Sequence, residues 1–418
     1  MQFRVLLASD FFPPFIGGAE RQTYLLGKKL AQLGHKVDVA TIWHEGLPEH
    51  ESDSGVTIHR LQALMTQVPF FSKDPKRRFH PPFPDPALIW RLRKLIHRTK
   101  PAIVHASGWI AYSCAIALTG NRIPLVVSAR DYGYSCATRT LLYRGQVCSG
   151  PSVSKCIKCA ASPYGAPKAF AAVLGILGGR RLLTYKISAV HSDTSFVQNI
   201  VERDLFGKSR NALRIRRQVI PSALDTSDEE SVNLEFTDSL PQEPYILFVG
   251  ALQSNKGLPV LLAAYQKLEA PPPLVLIGSV WPDTPDKFPP GVVVLKNLPH
   301  ANVMNAWDGC LFGVVPSIWP EPFGQVSVEA MSRGKAVIAA AIGGIPEIII
   351  DGRNGLLVAP GDVDALANAL RKLIKDKELR ERLGRAGQAD ARRFNVDSAI
   401  RQFEGLYMDL INDTSRRQ

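Results

Sequence analysis

The sequence predicts an α/β protein built from two doubly wound, parallel-sheet domains. Three observations carry that expectation. The chain has 418 residues, more than one ordinary hydrophobic core accommodates. In both halves short apolar runs alternate with helix-period segments, the pattern of β-α-β units rather than of hairpins. Between the halves lies a polar, acidic stretch from Leu224 to Glu243, with Asp225, Asp228, Glu229, Glu230, Glu235, Asp238 and Glu243, which reads as a hinge. The expected domains are therefore 1–223 and 244–395.

Taken in order, Arg4–Ala8 reads as the first strand, since the apolar run is too short for a signal peptide. Gly17 and Gly18 lead into a helix from Ala19 to Leu33. Leu26, Leu30 and Leu33 share one face of it, and Gly34 ends it. Val37–Thr41, Ile103–His105, Pro124–Ser128 and Ser188–His191 are further strands of the first series. Helices are expected from Pro167, suited to a first turn, to Lys186, and again after Asp193. The second series is Tyr245–Val249, Leu274–Ile277, Val292–Leu295, Leu311–Val315, Lys335–Ala340 and Leu356–Val358. A last helix runs from Val396 to Ile411.

The hydrophobic content, 45%, is that of a soluble globular protein, and no apolar run reaches the length of a membrane span. A cytoplasmic location is the expectation. The net charge of +12 is concentrated: from Lys73 to Lys100 nine Lys or Arg face two Asp. Phe70, Phe71, Phe79, Phe83 and Trp90 lie among or beside them. Leu88, Ile89, Leu92 and Leu95 with Arg91, Arg93, Lys94 and Arg98 suggest an amphipathic basic helix. Two readings stay open, a solvated basic face or a surface peripheral to an anionic membrane. No recognisable nucleic-acid module accompanies the charge, so nucleic acid is not an expected partner.

The most telling segment is Glu321-Pro-Phe-Gly-Gln-Val-Ser-Val-Glu329-Ala-Met-Ser-Arg-Gly334. Two carboxylates flank a Pro-Phe-Gly turn that opens an amphipathic helix. The N-terminus of such a helix offers unpaired N–H groups and a positive dipole end to a phosphate. Glu321 sits before the helix, near whatever the phosphate carries; Glu329 sits within it and could accept from ribose hydroxyls. The layout suits a sugar nucleotide. The bland alternative is a capped helix with one surface glutamate. Upstream, Leu311-Phe-Gly-Val-Val-Pro-Ser317 is a strand ending where the Glu321 loop begins; downstream, Ile342-Gly-Gly-Ile-Pro-Glu347 follows the next strand. Ligands of open α/β sheets sit beyond the C-terminal strand ends, where both loops fall.

This stretch resembles the retaining glycosyltransferases of family 4 (glycosyl transferases group 1), with their E-x7-E motif and GG-x-PE loop. Phe11-Phe-Pro-Pro-Phe-Ile-Gly-Gly-Ala-Glu20 is similar to that family's glycine-rich loop. So are Ile103-Val-His105, Val219-Ile-Pro-Ser222, Phe248-Val-Gly250 and Lys256-Gly257. The resemblance implies the GT-B architecture, two Rossmann-like domains facing across a cleft. The first would bind the acceptor, with the 396–418 helix packing back on it. The second would bind the nucleotide sugar. Carried over, Glu321 lies against the donor sugar and the backbone of Phe323, Gly324, Gln325 and Val326 lies at sugar and phosphates. Glu329 binds the ribose, Lys256 the diphosphate, and the base rests near Leu298. Gly17 and Gly18 let backbone approach the phosphate. The implied reaction is metal-independent, retaining transfer of a hexose-like sugar from a nucleoside-diphosphate donor. The acceptor would be a hydroxyl of a glycan or lipid-linked acceptor, in cell-surface polysaccharide or glycolipid biosynthesis, with no cofactor required.

The chain departs from the family at three places. Gly250-Ala251-Leu252 stands where relatives have Gly-Arg-Leu, Asn255-Lys256-Gly257 where they have Glu-Lys-Gly, and Arg130-Asp131-Tyr132 where most have His-Asp-Tyr. Arg130 cannot act as a base at neutral pH, although it can hydrogen-bond the sugar or pair with a phosphate. These departures keep a second reading alive, a catalytically weakened sugar-nucleotide-binding subunit of the same fold. His105 is read either as an acceptor-side group or as a structural histidine. Of six cysteines, Cys136, Cys148, Cys156 and Cys159 cluster in sequence. Cys156-Ile-Lys-Cys159 has the gap of a zinc ligand pair, and zinc, free thiols and disulfides all remain open. Such a metal would be structural; none is expected at the E-x7-E site. Cys114 and Cys310 read as single core cysteines.

Overall fold

Apolar runs separated by helices can bury both faces only in a parallel sheet with helices on each side, and the chain does this twice. The computed structural model describes residues 2–15, 17–68, 80–207, 209–224 and 239–416. It divides into two compact units, Met1–Ser222 with Asp397–Gln418, and Ala223–Val396. Most of the acidic stretch expected as a hinge, and the cations Lys73, Lys76, Arg77 and Arg78 with Phe70, Phe71 and Phe79, lie outside the described residues.

The first unit holds an eight-stranded sheet. Its spatial order is Arg216–Val219, Ala189–Ser192, Leu125–Ala129, Ile103–Ser107, Arg4–Ser9, Lys36–Ile42, Val56–Leu61 and His50–Asp53. Every pairing is parallel except the last. The inner strands were legible as apolar runs. The edge strands Arg216–Val219 and His50–Asp53 were not, because an edge strand need not be apolar on both faces. Val56–Leu61 was missed because it buries His59 and Arg60. His59 lies 2.8 Å from Asp38, and Arg60 donates to the carbonyls of Pro48 and Pro13.

Helix Gly18–Gln32 ends at Gly34, whose N–H meets the Ala31 carbonyl while that of His35 meets Leu30. Helix Pro86–Thr99 is the expected basic amphipathic element. Asp85 caps it by accepting from the Leu88 N–H, and Leu88, Leu92, Leu95 and Ile96 are buried. Trp90 stands 62% exposed on its outer side. Helix Ala166–Lys186 carries Pro167 in its first turn as expected, and Thr194 caps Ser195–Val201. The terminal helix Val396–Ser415 belongs to this unit from Asp397 onward.

The second unit has a six-stranded, fully parallel sheet in the order Val292–Lys296, Leu274–Gly278, Tyr245–Val249, Cys310–Val315, Ala336–Ala340, Leu356–Val358. This is the doubly wound order with its switch point between the Tyr245 and Cys310 strands. Alternate residues feed two cores. Leu247, Val275 and Ile277 meet Trp307, Val328 and Met331 on one face. Ile246, Phe248, Leu274 and Leu276 meet Leu261, Leu366 and Leu370 on the other. Among the described residues no helix is long and apolar enough to cross a membrane.

Candidate active site

Strand Cys310–Val315 ends at Pro316, and the chain turns through Ser317 to Gly324 before entering helix Gln325–Ser332. Two glycines hold this loop in place. A side chain on Gly257 would fall on the Pro316 carbonyl, so only glycine lets the 254–257 turn close on it. A side chain on Gly343 would fall on the Glu321 backbone, and Gly343 has φ +64°. The neighbouring Gly344 N–H donates to the Glu321 carbonyl at 2.7 Å. The Asn255 carbonyl accepts from both Ile318 and Trp319 N–H, at 3.0 and 3.2 Å. The turn after the first strand of this unit and the Gly-Gly turn thus clamp Glu321 from two sides.

The Glu321 side chain is 9% exposed. Three donors converge on its Oε1: Lys256 Nζ at 2.7 Å, Ser317 Oγ at 2.6 Å and Trp319 Nε1 at 2.9 Å. Lys256 also lies over the Trp319 ring, 4.8 Å from its centre. Sequence reading found Glu321 and Lys256 but missed Ser317 and Trp319; an indole two residues before a glutamate carries no motif. Eight residues further, Glu329 has a side chain 9% exposed and lies 3.3 Å from His300 Nε2. Leu298 packs against the core of this unit. Phe323 turns inward against Phe394, their rings perpendicular with centres 5.4 Å apart, so only its backbone is available to a ligand. Val326 also leans on the core.

Three buried polar atoms around this loop have no partner among the described residues: Asn255 Oδ1, Gln325 Oε1 and Ser327 Oγ. Buried unpartnered polar groups are uncommon; Gln325 and Ser327 stand in the first turn of the helix and Asn255 on the turn that clamps the loop. Gly324 precedes that helix in the left-handed conformation with no side-chain cap, leaving its first N–H groups without one.

The first unit places the other expected residues less uniformly. Gly17 caps helix Gly18–Gln32, and Gly18 is exposed with open space at its Cα. Arg130 is buried in an ion pair, its Nη1 donating to Asp193 at 2.7 Å and to Ser222 Oγ at 3.2 Å; its Nε is buried without a partner. His105 is not an open acceptor-side group. It is buried, and both ring nitrogens are engaged, Nδ1 by the Tyr407 hydroxyl and Nε2 by Ser128 Oγ at 2.7 Å. Ser128 Oγ continues at 2.8 Å to His191 Nδ1, whose Nε2 donates to the Ile220 carbonyl at 2.8 Å. That carbonyl fixes every proton: each ring carries its hydrogen on Nε2, Ser128 donates to His191, and Tyr407 donates to His105. Burial, then the nearby Arg130 charge, keeps both rings neutral, with His105 pushed down to about 3 and His191 well below the usual range.

The family model for glycosyl transferases group 1 matches residues 233–390, and that for glycosyltransferase family 4 matches residues 16–146. The chain belongs to the glycosyl transferases group 1. Its fold agrees: sucrose-phosphate synthase from Thermosynechococcus elongatus superposes with a TM-score of 0.73 at 21% identity, over 99% of this chain and 100% of that one. Anabaena HepE in complex with UDP-glucose gives 0.67 at 18%, over 98% and 100%. These likenesses show the GT-B fold. An uncharacterized glycosyltransferase from Methanocaldococcus jannaschii is 34% identical over 173 residues, 39% of this group 1 chain and 48% of that protein. The chain spans about half the length of the first curated relatives it matches.

Proposed function

We propose that this protein is a retaining glycosyltransferase. It moves a hexose-like sugar from a nucleoside-diphosphate donor to a hydroxyl of a glycan or lipid-linked acceptor, in cell-surface polysaccharide or glycolipid synthesis. The observation that carries the reading is Glu321, clamped at a strand end with three donors on one oxygen and its other oxygen without a donor among the described residues. Such a carboxylate is oriented to accept from sugar hydroxyls. Lys256, beside it, supplies the cation that offsets charge on the departing diphosphate, and the N–H groups from Phe323 to Val326 add to it. Glu329 accepts from the ribose, and the base rests by Leu298. The solved UDP-glucose complex of the Anabaena relative supports a nucleotide-sugar donor. The acceptor attacks the face from which the nucleotide leaves, and the leaving phosphate takes the acceptor proton. No metal enters this scheme. The first unit takes the acceptor, and Gly17 and Gly18 offer its backbone to phosphate.

The test is Glu321→Gln. Transfer from a radiolabelled donor falls to background while calorimetry shows the nucleoside diphosphate still binding. Transfer near the wild-type rate would remove Glu321 from the site. A weakened sugar-nucleotide-binding subunit is the second reading, favoured by Arg130, which stands where a histidine is usual and is tied to Asp193. A panel of UDP-, GDP- and ADP-sugars separates the two: binding without hydrolysis or transfer by the unmodified protein supports the second.

A further inference from the structure

Four of the six cysteines line a place the transfer chemistry does not use. Cys136, Cys148, Cys156 and Cys159 all line one cavity of about 20 Å³ in the first unit, room for a single water-sized body or ion. Its walls are the loop after strand Leu125–Ala129, the hairpin Leu142–Tyr143 with Gln146–Val147, and helix Val153–Tyr164. Cys156 and Cys159 are three apart on that helix and so share a face. None of the four is in a disulfide.

The sulfurs make weak local bonds: Cys136 with Thr138 Oγ1 at 3.2 Å, Cys148 with the Gly150 carbonyl at 3.5 Å, and Cys159 with the Leu142 carbonyl at 3.6 Å. Cys156 accepts from the Ser152 N–H at 3.4 Å. Among the described residues no three His, Cys, Asp or Glu groups are gathered as a ready metal cluster. Loading therefore requires the thiols to give up these bonds for the ion.

We propose that Cys136, Cys148, Cys156 and Cys159 bind one zinc ion in a closed, structural site. Four soft ligands and no open position suit Zn²⁺ in a tetrahedral, non-catalytic role. One Zn²⁺ displaces four thiol protons to give a tetrathiolate of net charge −2. Lys155 on the cavity wall, its Nζ 3.1 Å from Ser149 Oγ, offsets part of that charge. Asp204, also on the wall, is already held by Arg203 at 2.7 and 2.8 Å and is not a spare ligand. The ion joins the hairpin to the helix and fixes the segment that follows Arg130. The inference stands independently of the proposed transfer activity.

The test is elemental analysis of the full chain purified without chelator, followed by cobalt titration of the metal-stripped protein. The expected result is one zinc per chain, and with cobalt the visible bands and thiolate charge-transfer band of a tetrahedral site at one equivalent. Cys156→Ser with Cys159→Ser abolishes both, whereas Cys310→Ala leaves both intact. Should the double variant fail to fold, stripping the wild type makes four additional thiols reactive toward a disulfide reagent, and zinc protects them again. No metal and no tetrahedral cobalt spectrum, iron in place of zinc, or a mass showing disulfides would each overturn the proposal.

Discussion

Glu321 Oε1 takes a lysine, a serine and an indole at once, which shows how such a residue is held: its geometry is set by neighbours rather than by its own rotamer freedom. Glu329 is held more loosely, by one imidazole at 3.3 Å. If it binds the ribose, Glu329→Ala weakens the free nucleoside diphosphate by about 1.5–3 kcal/mol, the range of a charged hydrogen bond, or roughly tenfold to a hundredfold in Kd. Calorimetry with UDP and GDP measures this, and unchanged affinity for whichever nucleotide binds would remove the ribose role. At this scale the sequence was partly legible. Both glutamates and Lys256 announced themselves by spacing and by the glycines beside them. His300 did not, because its contact with Glu329 spans 29 residues and no pattern joins them. His105 was legible as a residue, but the choice between its two roles was not: its partner Tyr407 is 302 positions away.

Among elements, the strands of the second unit were readable almost to the residue, because a strand covered on both faces is an uninterrupted apolar run. The polar edge strands of the first unit escaped because they bury little. Between its strands runs the line from Tyr407 through His105, Ser128 and His191 to the Ile220 carbonyl. Both histidines titrate lower in the fold than in the unfolded chain, where the value is about 6.5. The contribution of His105 to stability is therefore full above about pH 6.5 and is lost as the pH falls toward 3, at about 1.4 kcal/mol per pH unit within that window, and that of His191 changes in the same direction. Urea unfolding followed between pH 6.5 and 5 tests this. His105→Phe should lower the slope by about that amount, and an unchanged slope would show that the ring is not neutral in the fold.

For the whole molecule, the charge of +12 raises the question of what it meets. Helix Pro86–Thr99 turns Arg93, Lys94 and Arg98 outward beside exposed Trp90. Arg93 and Arg98 each make a single hydrogen bond among the described residues, to the Ile116 carbonyl and to His59. If this face rests on anionic lipid, vesicle cosedimentation falls steeply between low salt and 1 M, where the screening length shrinks to about 3 Å. Replacing Arg91, Arg93, Lys94 and Arg98 by Gln should reduce it as well. Equal binding to neutral vesicles would leave the face simply solvated.

The first unit is made of two pieces of chain, and its second piece is the terminal helix, where Phe403 and Tyr407 pack around His105 and His191. During synthesis the segment that emerges first therefore waits longest. At roughly 5–20 residues per second the whole of the 223–396 unit leaves the ribosome before the earlier unit receives its closing helix. For some ten seconds or more the early sheet exists with an uncovered His105–His191 face, a natural client for a chaperone. A stop codon at position 397 makes this state permanent. Limited proteolysis of that shortened chain should digest the first unit and leave a resistant fragment from the second, and equal resistance of both would show that the early unit closes without its helix.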